Sequence, residues 1–281
     1  MELHELHGRR SRKRTPEKQE PAEAADSGRQ LRPLLWNRIV GIGLIPFIPI
    51  FSLALGYTLL HAHAAQPQGG VHFWKSRDFQ MFGAGAGVWL VLFCAGLKIR
   101  GEPWGLRAYV YGHELMHIVM TIASFGRIKG FAATREGGHV VTDKYNFLIA
   151  LGPYLWPFYS VPVLIAWSIS LLCWRHTWEY REWFLGAVGF TWMFHLTFTV
   201  WILPFGQSDF HGPGHIFSFC LVYLANTICL SGVLIVLAPE VTWHDYGVAF
   251  LQSAEDVYRW TGEAIVGAFH LLRGIFHRFA G

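Results

Sequence analysis

Six long stretches of the chain are apolar enough to form bilayer-crossing helices, which need about 20 such residues each. They are Ile39–Leu60, Phe79–Leu97, Ala108–Gly126, Phe147–Trp174, Trp183–Ser208 and Ile216–Pro239. The first carries Pro46 and Pro49, which predict a kink. The second carries Gly83, Gly85 and Gly87, small residues that let a second helix approach closely. The third is apolar except for His113, Glu114 and His117, and the fifth except for His195. The fourth is broken by Pro153, Pro157 and Pro162.

Between the third and fourth stretches, Arg127–Asn146 changes character. Ile128-Lys129-Gly130-Phe131 and Val140-Val141-Thr142 flank a turn-rich Arg135-Glu136-Gly137-Gly138, which predicts a short β-hairpin. Residues 248–278 place Phe250, Leu251, Val257, Tyr258, Ile265, Phe269 and Leu272 at helical spacing with charges between, the pattern of an amphipathic helix on a membrane surface. The fold class is therefore an all-α membrane protein of about six transmembrane helices, with a small membrane-associated β-hairpin after the third. It divides into a polar tail (1–34), a polytopic domain (35–240) and an amphipathic C-terminal segment (241–281).

Composition agrees. Apolar residues make up 52% of the chain and charged residues 15%, against about 25% charged in soluble domains. Of 23 Lys and Arg and 19 Asp and Glu, 15 fall in the first 38 residues, so the remainder is even less suited to water. The tail has no apolar core segment of the kind a cleavable signal needs, and its polar, mixed-charge content predicts disorder. Its Arg9-Arg10-Ser11-Arg12-Lys13-Arg14 run reads as a topology signal or an anionic-lipid contact, not a nucleic-acid site. That signal puts the N-terminus in the cytoplasm, whereas Arg127, Lys129, Arg135 and Lys144 give the hairpin loop a cytoplasmic look of its own. Cys94, Cys173, Cys220 and Cys229 lie in apolar stretches with no C-x-x-C pair, which excludes a thiolate metal site or disulfide framework.

The chemistry is concentrated in His113-Glu114-Leu115-Met116-His117. Positions i and i+4 of an α-helix lie about 40° apart around the axis and one turn along it, so both imidazoles can reach one metal ion. Glu114 beside them can act on a water that the metal has acidified, the arrangement of zinc hydrolases. An ionised Glu near a bilayer centre costs about 2.5–3.5 kcal/mol, which argues for a function. The competing reading packs both histidines in the core and pairs Glu114 with Arg107. Two His ligands need a third, and the residues leave His195, His211 and His215 open for that place or for supporting ones. His139 reads as a turn residue, and His61-Ala62-His63 as too small a cluster for a site.

These motifs resemble the site-2 protease family of intramembrane metalloproteases, in a divergent bacterial-type form. In that family an H-E-x-x-H helix is followed by a β-hairpin, a Gly-Pro element, and an N-x-x-P-x-x-x-x-D-G motif whose Asp completes the zinc site. Leu151-Gly152-Pro153 matches the Gly-Pro element. Pro204 to Asp209 keeps the Pro-to-Asp spacing, and Gly212-Pro213-Gly214 resembles the following glycine-rich run. The likeness covers roughly residues 108–220. It implies Zn²⁺ held by His113, His117 and Asp209, Glu114 as catalytic base, a membrane-protein or peptide substrate, and a multi-pass protein of the bacterial cytoplasmic membrane. Trp201 and Phe210 replace the motif's Asn and Gly, and Trp156 stands where an Asn is frequent, departures that bear on substrate handling more than on the metal. Connectivity fits: if the fourth stretch leaves the hairpin side and the fifth returns, Asp209 ends on that side.

Two other functions fit parts of the pattern. One is a membrane di-iron oxidase or desaturase, for which His113-x-x-x-His117 suffices but the further H-x-x-H-H clusters are lacking. The other is a pseudoprotease that binds membrane clients without cutting them. No soluble sensor domain fits between the apolar stretches.

Overall fold

The computed structural model describes residues 35–64, 73–134, 137–205, 207–238 and 241–279, so the polar tail lies outside the described residues. The chain forms nine helices over these residues and one two-stranded sheet. In order they are α1 (35–44), α2 (Phe47–Ala64), α3 (Arg77–Arg100), α4 (Leu106–Ala123), β1 (Ile128–Ala133), β2 (Gly138–Thr142), α5 (Phe147–Leu155), α6 (Ser160–Cys173), α7 (Arg181–Ile202), α8 (His215–Leu237) and α9 (Trp243–Phe279). Short 3₁₀ turns join several of them.

Local sequence explains many of the boundaries. The Ser76 side chain accepts from the Phe79 amide and caps α3, Asp78 lies in its first turn, and Lys98 and Arg100 lie in its last. Each complements the helix dipole. Gly101 closes α3 in the left-handed conformation. Asn146 caps α5 through a 2.8 Å bond from the Ile149 amide. The hairpin forms where it was expected, as an antiparallel pair with Phe131 opposite Val140 and Ala133 opposite Gly138, and a bulge between Ile128 and Gly130.

Four stretches are long and apolar enough to cross a membrane: Leu35–Leu60, Arg77–Arg100, Thr177–Phe205 and His215–Leu237. The pair α5 and α6 makes a fifth if taken as one crossing, but it is bent by 72°. The expected total of about six is therefore too high. α4 drops out because Arg107, Tyr109, His113, Glu114, His117 and Thr121 dilute its apolar content. The proline kink of the first stretch is present as a turn at residues 45–46 between α1 and α2.

α3 and α7 pack side by side and run parallel. Arg77 pairs with Glu182 and Asp78 with Arg181 at their starts, and Trp89 Nε1 donates to Thr197 Oγ1 further along. The approach is closest at Gly85 and Gly189. A Cβ at Gly85 would overlap the Gly186 carbonyl, and one at Gly189 the Phe82 carbonyl. Gly83 and Gly87 face open space, so only the middle of the three α3 glycines does the work assigned to all of them. If both cross a membrane, an odd number of crossings must lie between them; α4 and the bent α5–α6 pair would then not both cross in full, unlike the simple alternation expected from the sequence.

α9 is longer than its amphipathic pattern suggested. Its first turns lie along α2: Tyr246, Ala249, Ser253 and Val257 are buried, the Phe51 and Phe250 rings are 5.0 Å apart, and Tyr57 donates to Asp256. Ile265, Phe269 and Leu272, further on, are exposed.

Two buried clusters frame the centre of the molecule. Trp89, Phe93, Tyr109, Phe194 and Phe198 pack where α3, α4 and α7 meet. Leu151, Tyr154, Phe210, Phe217 and Val222 pack where α5 and α8 meet the connection from α7. The candidate site lies between them.

Candidate metal centre

α4 presents His113 and His117 on one face, one turn apart. Asp209 arrives from the 3₁₀ turn Ser208–Phe210 between α7 and α8. His113 Nε2 is 3.1 Å from His117 Nε2 and 3.2 Å from Asp209 Oδ2, and His117 Nε2 is 3.8 Å from the same oxygen. Ligands held about 2.0–2.1 Å from a tetrahedral zinc stand roughly 3.3 Å from one another, so the triangle has the size an ion of that kind requires. The three side chains are 10%, 11% and 21% exposed. This His-His-Asp group can bind a metal ion, and it forms the one such group of three or more among the described residues.

Each ligand is held from behind, as metal ligands are when their orientation is fixed by outer partners. His117 Nδ1 lies 2.7 Å from the Ile149 carbonyl. A carbonyl only accepts, so Nδ1 carries the proton and Nε2 keeps its lone pair for a metal. The sequence explains why that carbonyl is free. In α5 it would accept from the amide of residue 153, four positions on. Residue 153 is a proline and has no amide. The Gly-Pro element thus converts an internal helix bond into an anchor for a ligand. Restoring the amide with Pro153→Ala should weaken metal binding about 10–100-fold, the usual effect of losing an outer partner. A metal titration of the variant with wild-type affinity would sink this role.

Asp209 Oδ2 accepts a 2.9 Å bond from the hydroxyl of Tyr154, which is fully buried. Burial works to raise the Asp209 carboxyl, but the His113 hydrogen bond, the electrostatic pull of the His113 and His117 rings and the Tyr154 bond outweigh it and hold it below its ordinary value. Phe210 helps to fix the turn. Its ring packs 5.0 Å from Tyr154 and is 2% exposed. His113 Nδ1 is 3.2 Å from the Tyr109 hydroxyl, and Tyr109 is stacked on Phe198 at 4.5 Å.

Glu114 points to the same place from the next position. It is 6% exposed and lines a cavity of about 510 Å³ together with His113, His117 and Asp209. Among the described residues it forms no ion pair, and Arg107, its expected partner in the competing reading, is exposed. β2 closes over it: a Cβ at Gly138 would come within 2.5 Å of the Glu114 Cγ and 2.7 Å of Oε1. Only glycine lets the strand sit this near. His139, Val140 and Thr142 of β2 and Trp201 of α7 complete much of the wall. Trp156, at the C-terminal end of α5, is 48% exposed.

The structure separates the histidines that the sequence left open. His195 is buried behind His113 and outside the metal group. His211 and His215 are exposed, with their rings 5.2 Å apart, and do not line the cavity. His61 and His63 fall in the last turns of α2. Asp209 is the side chain that joins the pair from α4. No family model, curated protein or solved structure matches the chain.

Four participants escaped the sequence reading. Tyr109 stands four residues before His113, on the same helical face, and that spacing was a usable signal. Gln207 is two residues from Asp209, and its Oε1 is 3.3 Å from the Tyr154 hydroxyl. His139 was assigned to the turn, yet it faces the cavity. Tyr154 had no local signal, because its role depends on the packing of α5 against the Asp209 turn.

Proposed function

We propose that this chain is a zinc peptidase of the site-2 protease kind, hydrolysing peptide bonds of membrane-associated substrates. The observation that carries the reading is the convergence of His113, His117 and Asp209, 96 residues apart in sequence at the extremes, beside Glu114 and an open cavity. Zinc, when bound, supplies Lewis acidity toward water and the scissile carbonyl. Glu114 then takes a proton from the attacking water as the C–O bond forms, and passes it to the leaving nitrogen as the C–N bond breaks. Tyr154 and the Ile149 carbonyl keep Asp209 and His117 in place during the exchange.

The cavity wall also supports a peptide substrate. β2 pairs with β1 along one edge, and residues 138–142 border the cavity. An extended segment added to the free edge would place its backbone near Glu114. A helix long enough to cross a membrane hides its peptide bonds in internal hydrogen bonds, so strand addition would expose one for attack.

The oxidase alternative is tested by the metal itself. Elemental analysis of the purified full chain in detergent should give one zinc per chain. Two irons per chain would favour the oxidase, although the single donor group among the described residues offers no second cluster for it. Absence of any bound or bindable metal would sink the peptidase reading.

A further inference from the structure

His195 is the one buried histidine with no role so far. It lies in α7, is 6% exposed, and its Nε2 has no hydrogen-bond partner among the described residues. The Asn226 side chain and the Tyr154 backbone lie beside the ring, and the Asn226 amide nitrogen is already turned to the Tyr154 and Val222 carbonyls at 2.9 Å. Both therefore offer the ring only oxygens, and with Nε2 unpartnered the proton belongs on Nδ1, which leaves Nε2 a bare acceptor. A buried acceptor left unsatisfied is costly and calls for an explanation.

The surroundings supply one. His195 lines a small space of about 20 Å³ together with Tyr109, Gly112, His113, Pro153 and Phe194. One water needs roughly 10–15 Å³. Tyr109 lines the same space, and its hydroxyl is 3.2 Å from His113 Nδ1. His113 turns its Nε2 to His117 and Asp209. If that atom binds the metal, Nδ1 carries the proton and donates to the Tyr109 oxygen. Tyr109 must then place its own proton elsewhere, and the structure gives its hydroxyl no second partner among the described residues. Among the residues lining the same space, the buried acceptor that lacks a donor is His195 Nε2.

We infer that a single water in this space links the Tyr109 hydroxyl to His195. The chain runs from His113 Nδ1–H to the Tyr109 oxygen, from Tyr109 O–H to the water, and from the water to His195 Nε2. His195 is thus a positioning residue: through Tyr109 it fixes the tautomer in which His113 offers Nε2 to the metal. The inference rests on the metal reading above, and it assigns to α7 a function that the H-E-x-x-H helix alone does not contain.

The test is cobalt(II) or zinc titration of the purified full chain in detergent, comparing wild type with His195→Phe, Tyr109→Phe, the double variant and His195→Gln. Breaking the chain at either end should lower affinity about 10–100-fold. The double variant should lose no more than either single one, since one break already severs the chain. His195→Gln, which keeps an acceptor, should bind close to wild type; a merely structural histidine would show no such rescue. Helical content is checked by circular dichroism. If His195→Phe does not fold, Tyr109→Phe, which removes one oxygen, decides. Wild-type affinity in His195→Phe or Tyr109→Phe, or losses that multiply in the double variant, would overturn the relay while leaving the metal centre standing. Failure of the wild type to bind metal would overturn both.

Discussion

Glu114→Gln is expected to leave metal binding intact and to lower peptide hydrolysis about 10²–10⁴-fold, the range for loss of a general base. The two side chains have nearly the same shape, so the packing against Gly138 is preserved. An amide, however, cannot take the proton of the attacking water. Glu114 is also outside the group formed by His113, His117 and Asp209, so the metal should not notice the change. The measurement is turnover of a reporter containing an apolar membrane segment, in detergent, with metal content determined on the same samples. Full biological activity of the variant with no turnover by either protein would remove Glu114 from the chemistry and favour a protein that binds clients without cutting them. Loss of the metal would instead make Glu114 a structural support.

Asp209→Ala should abolish stoichiometric metal binding. The effect should exceed the about 10–100-fold seen for outer partners, because a ligand itself is lost. Asp209 is the only contact in the triangle that α4 does not supply. Without it, two neutral imidazoles on one helix are left to hold a dication. The variant also leaves the Tyr154 hydroxyl without its 2.9 Å acceptor, so helical content must be checked alongside. A titration showing one zinc bound to Asp209→Ala with wild-type affinity would mean that the third ligand lies elsewhere.

Much of this arrangement was legible in the sequence, for identifiable reasons. The histidine pair and Glu114 depend only on helical spacing. The hairpin depends on two short β-branched runs around a glycine turn, again a local signal. Asp209 was reached through motif resemblance, and the triangle of distances now gives it an independent argument. What failed was the count of crossings. Length and apolar content suggested six, but α4 carries the polar side chains that make the site, and α5 and α6 turn sharply between Leu155 and Ser160. The parallel packing of α3 on α7 is a tertiary fact that no single segment announces. Tyr154, the Ile149 carbonyl and the orphan nitrogen of His195 were hidden for the same reason. Each acquires meaning only when a second element is laid against it.

Pro153 shows how far such hidden roles can oppose local preference. A proline inside a helix costs about 3 kcal/mol relative to alanine, so almost any replacement would make α5 a better helix. The same replacement would offer Ile149 a competing donor and loosen His117. Fold and chemistry therefore pull in opposite directions at one position. Selection for thermal stability alone would tend to discard this proline, and would drift toward proteins that are sturdier and worse at holding their metal.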